Sequence, residues 1–371
     1  MDMKIERIGW IDGLKGLLIS LVVLGHVVGS LSHYVSGNTA TVLGYIYKSI
    51  YLFHMPAFFM IAGYMYAYKG EPLSRILKKR FLRLLVPYFF WGVLSVIIFL
   101  LAKPMLGQIT NGGDWYYSGK MARYVWYRPF LSILHAGDWP QGEGFRCNSV
   151  LWFLPCMFVV LVAYDLFNSA AVQFCVKRHL NIEHLHLDVA ILLVMVILGA
   201  IIRFYGPPYL PWGLSRAPYM MIFFLLGRIV KTWNMRLGMG CRRIYLGLGW
   251  LAYGVIVWFY PDLASAYFSW CWYMFATVIA IMGIYLAFLS MRRISPSWLV
   301  KIGEMSLGIM LVHKFLILPF QVGYHKIAAS GICVASVSVM CITGVALVAS
   351  YMLVAVVVKR IPWSVGISKY R

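Results

Sequence analysis

The stretch DGLKGLLISLVVLGH, residues 12–26, opens with an acid and a base and closes with a histidine. The ten residues between Lys15 and His26 carry no charge. Roughly 20 apolar residues cross a bilayer as an α-helix, and the apolar run continues past His26 to about residue 32. The segment therefore reads as a membrane helix with an imidazole about three turns in from its charged end. That reading sets the fold class and raises the functional question together.

The whole chain agrees with it. Of 371 residues, 62% are hydrophobic and 12% charged, and the mean hydropathy is +0.78. Soluble domains carry about 25% charged residues, so the sequence predicts an integral membrane protein built only of α-helices. No apolar run ends in a small-residue cleavage site, so no cleavable signal peptide is expected. The seven Cys are scattered without a CxxC pair and suggest neither a disulfide framework nor a metal site.

Ten segments are apolar enough to span: about 13–32, 45–67, 81–102, 149–168, 188–205, 217–232, 243–260, 267–290, 304–325 and 333–358. They predict one bundle and one polytopic domain over residues 1–371. With the N-terminus inside, the cytoplasmic segments hold 21 Lys and Arg and the outer ones 8. That bias places both termini in the cytoplasm of a cell (inner or plasma) membrane. It also accounts for most of the net charge of +21 without nucleic acid as a partner. Residues 103–148, with QITNGGDWYYSGK and HAGDWPQGEGFRCNS, form a long outer loop rich in Trp, Tyr, Asp and Asn, side chains suited to sugars. No internal repeat and no discontinuous half-helix pair is visible, which argues against a secondary transporter.

Ionisable side chains inside spans are costly and read as functional by default. His26 in the first span, His54 in the second (YLFHMPAFFMIAGY) and His313 in the ninth (GEMSLGIMLVHKF) all fall within a turn or two of the midplane. Helical phase adds to this. Lys15 and His26 differ by about 20° around the axis, and Asp12 and His26 by about 40°. One stripe thus carries Asp12, Lys15 and His26 from the inner surface to mid-depth, beside the small residues Gly13, Gly16, Ser20 and Gly25 that permit close helix approach. Pro56, two residues after His54, frees a backbone carbonyl and points to a pocket. At the inner rim, RILKKRFLRLLVPYFFW places Arg80 and Arg83 three residues apart, on one helix face. Arginine forks suit phosphate.

Taken in order, WIDGLKGLLISLVVLGH, FHMPAFFMIAGY, KKRFLRLLVPYFFW, SVLWFLPCMF and GEMSLGIMLVHKF resemble the membrane-bound acyltransferase-3 family, and in particular its fucose 4-O-acetylase-like branch. The resemblance runs from about residue 9 to 325. It implies a ten-helix core and transfer of an acyl group, commonly acetyl, from cytosolic acyl-CoA to a carbohydrate hydroxyl on an envelope glycan or its lipid-linked precursor. By the same resemblance, the family's basic-x10-His motif falls on Lys15 and His26, its arginine pair on Arg80 and Arg83, its Ser-x6-His pattern on Ser306 and His313, and its LWF tryptophan on Trp152. Lys15 stands where many members have Arg, and Met310 where many have Tyr.

Transfer from a thioester to an alcohol needs a base, and imidazole is the usual one at neutral pH; His26 is the expected general base, with an acyl-histidine intermediate left open, assisted by His54 as oxyanion donor or orienting partner. Asp12, Lys15, Trp152, Ser306 and His313 support them, and Arg80, Arg83 and Lys15 meet the CoA phosphates. No permanently bound cofactor or metal is expected; acyl-CoA, a carbohydrate acceptor and membrane lipid are the expected partners. The alternatives are a transporter or exporter of a lipid-linked sugar or small acid that uses the histidines as a proton relay, and a bis-histidine haem bundle.

Overall fold

The computed structural model describes residues 9–32, 34–68, 70–109, 128–136, 148–178, 184–207, 210–234, 251, 274–283, 285, 296–329 and 331–367. Every regular element among them is helical. In chain order these are α1 (Gly9–Leu31), α2 (Gly37–Met65), α3 (Leu73–Arg80), a π turn (Phe81–Leu85), α4 (Val86–Ile109) and α5 (Arg128–His135). A 3₁₀ turn (Ser149–Trp152) leads into α6 (Phe153–Arg178), followed by α7 (His184–Tyr205) and α8 (Ala217–Asn234). Then come α9 (Met274–Gly283), α10 (Ser297–Glu304), α11 (Ser306–Ile317), α12 (Tyr324–Ala329) and α13 (Gly331–Arg360).

Six helical stretches among the described residues are long and apolar enough to cross a membrane: Gly9–Leu31, Leu73–Ile98, Ser149–Arg178, His184–Tyr205, Pro211–Thr232 and Gly331–Arg360. The protein is a multi-pass, all-helical membrane protein. α2 is long enough at 29 residues, but its tyrosines, His54 and Pro56 lower its hydropathy and keep it off that count. The segment expected at 243–260 lies outside the described residues apart from Leu251. Only 274–283 and Tyr285 of the segment expected at 267–290 are described.

One expectation is overturned. The ninth expected segment, about 304–325, begins at the turn of a bent helix pair, Ser297–Glu304 and Ser306–Gln321, at 83° to each other. Met305 sits between them with φ −98° and ψ 7°, outside helical geometry. A bent helix pair is therefore present, and its turn falls where Gly303, Glu304 and Ser306 interrupt the apolar pattern.

The chain divides into two compact units. The first contains residues 1–64 and 230–356. Its centre is α1, whose Leu18, Ile19, Val23, Val27 and Val28 are fully buried. α10 lies directly on the N-terminal half of α1. A Cβ built on Gly16 would meet the Leu299 carbonyl oxygen at 2.1 Å, and one on Gly303 would meet the Asp12 carbonyl oxygen at 1.7 Å. Only glycine at both positions permits this contact, the small-residue packing by which membrane helices approach closely. Against α2, Gly25 and Gly29 receive the rings of Tyr51 and Tyr47. Pro56 cannot donate to the Leu52 carbonyl four residues earlier, and the Thr277 hydroxyl on α9 donates to that oxygen instead at 3.0 Å. The freed group is thus satisfied inside the protein, as a bilayer requires.

The second unit contains residues 65–229 and 357–371. There the Tyr88 hydroxyl donates to the Ile133 carbonyl at 2.7 Å, tying α4 to α5. Trp91 Nε1 donates to the Ser364 carbonyl at 2.8 Å, which fastens the C-terminal turn to α4.

Candidate active site

In the first unit the structure brings the three histidines' helices together. The ring of His26 (α1) lies 5.2 Å, centroid to centroid, from that of His313 (α11). The Tyr51 hydroxyl (α2) is 3.1 Å from His26 Nδ1. The Tyr51 ring packs edge-on against His54 at 4.8 Å and stacks on Tyr47 at 4.0 Å. The local cause is visible in α1: Gly25 has no side chain, so the Tyr51 ring lies flush against the helix and its hydroxyl reaches the neighbouring imidazole.

Each ring has a defined hydrogen-bonding edge. His54 Nδ1 lies 2.7 Å from the Ile50 carbonyl oxygen, and His313 Nδ1 lies 2.9 Å from that of Ile309. A carbonyl only accepts, so both Nδ1 atoms carry the hydrogen. In a neutral ring Nε2 is then the lone-pair acceptor. His313 Nε2 is buried and has no hydrogen-bond partner among the described residues. His54 and His313 are 3% and 0% exposed, whereas His26 is only partly buried. Of the three, His26 is the least enclosed.

Asp12 and Lys15 share the stripe as the phase argument requires. Lys15 Nζ donates to Asp12 Oδ1 at 2.8 Å, with Asp12 nearly buried and Lys15 partly exposed. Ser306 begins α11 and is buried, two turns before His313, with buried Met310 between them. Close by the N-terminal end of α1 is an apolar crevice lined by Trp10, Leu14, Ala57, Met60, Tyr64 and Tyr285, among others.

The remaining expected residues lie in the second unit. Arg80 ends α3 and donates from Nε to Asp165 Oδ2 on α6 at 3.3 Å. Arg83 falls within the π turn, whose wider winding breaks the α-helical phase, and it is exposed. The two arginines therefore meet different surroundings, although three residues of α-helix would give them one face. Trp152 holds the Arg216 guanidinium over its ring at 4.5 Å.

Sequence reasoning missed several polar groups here. Asp165 is 1% exposed and Asp188 2%. The Tyr66 hydroxyl donates to Asp165 Oδ1 at 2.5 Å. Arg228 Nε lies 2.9 and 3.0 Å from the two oxygens of Asp188, and the Tyr164 hydroxyl donates to the same carboxylate at 2.7 Å. The signal was present: an acid in VAYDLFN and an arginine in FFLLGRIVK interrupt apolar runs. Tyr51 was missed too, although it opens the stretch that carries His54.

Comparison with known proteins places this geometry. The family model described as an acyltransferase domain (Acyl_transf_3) matches residues 8–358, and the chain belongs to that family. It is similar to the nodulation protein NolL of Mesorhizobium japonicum, 38% identical over 140 residues, covering 34% of this chain and 37% of that protein. It is also similar to the nodulation protein NolL of Sinorhizobium fredii, 38% identical over 103 residues, 27% of this chain and 28% of that one. The alignments thus span about a third of the length of these curated relatives. No solved structure matches the chain.

Proposed function

We propose that the protein is a membrane O-acyltransferase that moves an acyl group, acetyl by preference, from cytosolic acyl-CoA to a hydroxyl of a cell-envelope carbohydrate or its lipid-linked precursor. The observation that carries this reading is the partly accessible His26, bonded through Nδ1 to Tyr51 and flanked by the closed imidazole of His313.

Transfer from a thioester to an alcohol requires removal of the hydroxyl proton, stabilisation of the developing oxyanion, and exclusion of water. With Nδ1 donating to the Tyr51 oxygen, His26 presents a lone pair at Nε2. It takes the hydroxyl proton as the sugar oxygen attacks the thioester carbon. The C–S bond then breaks, and the imidazolium returns the proton to the CoA thiolate. Ester and free thiol result, and atoms and charge balance. His54 Nδ1–H is committed to the Ile50 carbonyl, so the neutral ring has no second N–H for an oxyanion. Its part is to hold Tyr51 in place, and through Tyr51 the tautomer of His26. Lys15, tied to Asp12, and Arg80 and Arg83 serve the CoA phosphates. Trp152 and the Ser306–His313 stripe support the fold around these groups.

The same reading completes the topology as ten spans in one functional domain, with both termini cytoplasmic. Charged CoA then stays on the inner side while its thin pantetheine arm reaches mid-depth. The experiment compares envelope glycans from cells with and without the gene by mass spectrometry. One acetyl ester per repeating sugar disappears with the gene if the reading holds.

The break at Met305 favours a second reading, a carrier that moves protons past the histidines, since interrupted helices mark many transport sites. Purified protein separates the two. Acetyl-CoA raises the melting temperature of an acyltransferase by mass action and leaves that of a carrier unchanged.

A further inference from the structure

The second unit contains a chain of polar contacts of which the chemistry above uses only the last member. Arg228 lies 5.0 Å from the centroid of the Tyr66 ring and 4.7 Å from that of Tyr164, anchored by Asp188. Tyr66 sits within this brace and donates its hydroxyl to one oxygen of Asp165. The other oxygen of Asp165 receives Arg80. Each Asp165 oxygen therefore has one named donor, and the last member of the chain is a residue assigned to the donor's phosphates.

Arg80 is held in an unusual way. A guanidinium has five N–H donors, and Asp165 engages only Nε–H. The four Nη hydrogens have no hydrogen-bond partner among the described residues, on a side chain that is 25% exposed. Asp165 itself is 1% exposed. A buried carboxylate within an apolar helix is costly, and a buried ion pair is weak grounds for stability because apolar replacements often do as well. A carboxylate that grips one edge of an arginine and leaves the fork open suits a different purpose. It cuts the side-chain entropy lost when an anion docks, which is the general advantage of preorganisation.

We propose that Asp165 is a positioning residue for recognition of the donor's phosphates: acting through Arg80, it presents an open guanidinium fork to the nucleotide end of acyl-CoA. This rests on the acyl-CoA reading above and adds to it a second tier of residues, Asp165 and Tyr66, that never touch the ligand.

The test uses full-length protein in detergent and measures binding of CoA and of pantetheine, which lacks every phosphate of CoA. Wild type is compared with Asp165→Leu and Tyr66→Phe. Asp165→Leu is expected to weaken CoA on the order of tenfold, the scale of a charge-assisted hydrogen bond, and to leave pantetheine unchanged. Tyr66→Phe, which keeps both charges and the ring, shifts CoA in the same direction by less, and it carries the test alone if the leucine variant does not accumulate. Equal weakening of CoA and pantetheine assigns Asp165 a merely structural part and overturns the proposal. Unchanged or tighter CoA binding overturns it too, since Asp165 then competes with phosphate. If wild type binds no CoA at all, the acyl-CoA reading falls and this inference with it. If wild type binds and the variants do not differ from it, only this inference falls.

Discussion

His26 and His313 are brought ring to ring, 5.2 Å apart, by two helices whose contact depends on a break in the chain at Met305. α10 presses backbone to backbone on the N-terminal half of α1 at Gly16 and Gly303. The 83° bend then redirects α11 so that His313 arrives beside His26, ten residues beyond Gly16.

Replacing His26 by Ala removes the imidazole proposed as general base, the least enclosed of the three. Positioned general bases contribute about 10²–10⁴-fold, so O-acylation is expected to fall by that order or below detection while the protein inserts at normal abundance. Acetyl content of envelope glycans, with an immunoblot of the membrane fraction, reads both quantities. Full acetylation in this variant takes His26 out of the chemistry.

A second variant, Tyr51→Phe, keeps the ring packed on Gly25 and His54 and deletes only the hydroxyl at 3.1 Å from His26 Nδ1. The loss is one hydrogen bond worth about 1 kcal/mol, hence a fall in transfer of roughly tenfold or less, with the melting temperature little changed. Should transfer stay at the wild-type rate, Tyr51 does not orient His26.

The site was partly legible because two of its rules are local. Rise per residue puts His26, His54 and His313 at one depth, and 100° per residue puts Asp12, Lys15 and His26 on one stripe; the Asp12–Lys15 pair at 2.8 Å follows from it. The freed carbonyl at Pro56 was legible for the same reason, though its acceptor role toward Thr277 was not. Three features stayed hidden. The break at Met305 has neither proline nor glycine at its turning residue, and the polar Glu304 and Ser306 beside it read as the start of a span rather than as a bend. Arg80 meets Asp165 across 85 residues and Arg228 meets Asp188 across 40, separations over which no periodicity in one helix carries information. Finally, the π turn at Phe81–Leu85 shifts Arg83 out of the phase that α-helical counting assigns it.

Gly303→Val tests the α1–α10 contact. Its Cβ would fall 1.7 Å from a backbone oxygen of Asp12, and backbone cannot step aside as a flexible side chain can. Overpacking costs about 1–3 kcal/mol even where side chains adjust, so a loss at or beyond the top of that range is expected, seen as a lower melting temperature and poor yield. Gly344→Ala is the control: nothing lies within 4 Å of that Cβ, and Ala in a helix gains up to about 1 kcal/mol over Gly. Equal tolerance of the two substitutions contradicts the close approach.

The Arg228–Asp188 pair makes the last prediction, because burial sets the sign of a non-additive effect. Arg228→Met leaves Asp188, 2% exposed, charged and without its cation. Breaking a buried pair in this way costs about 3–5 kcal/mol. Adding Asp188→Asn removes the stranded charge yet still offers an oxygen to the Tyr164 hydroxyl, which now donates to Asp188 at 2.7 Å. The double variant should therefore regain most of the stability lost in Arg228→Met and melt well above that single variant. Thermal melts in detergent across the four members of the cycle measure this coupling. A double variant whose loss equals the sum of its singles shows that the two side chains do not depend on each other.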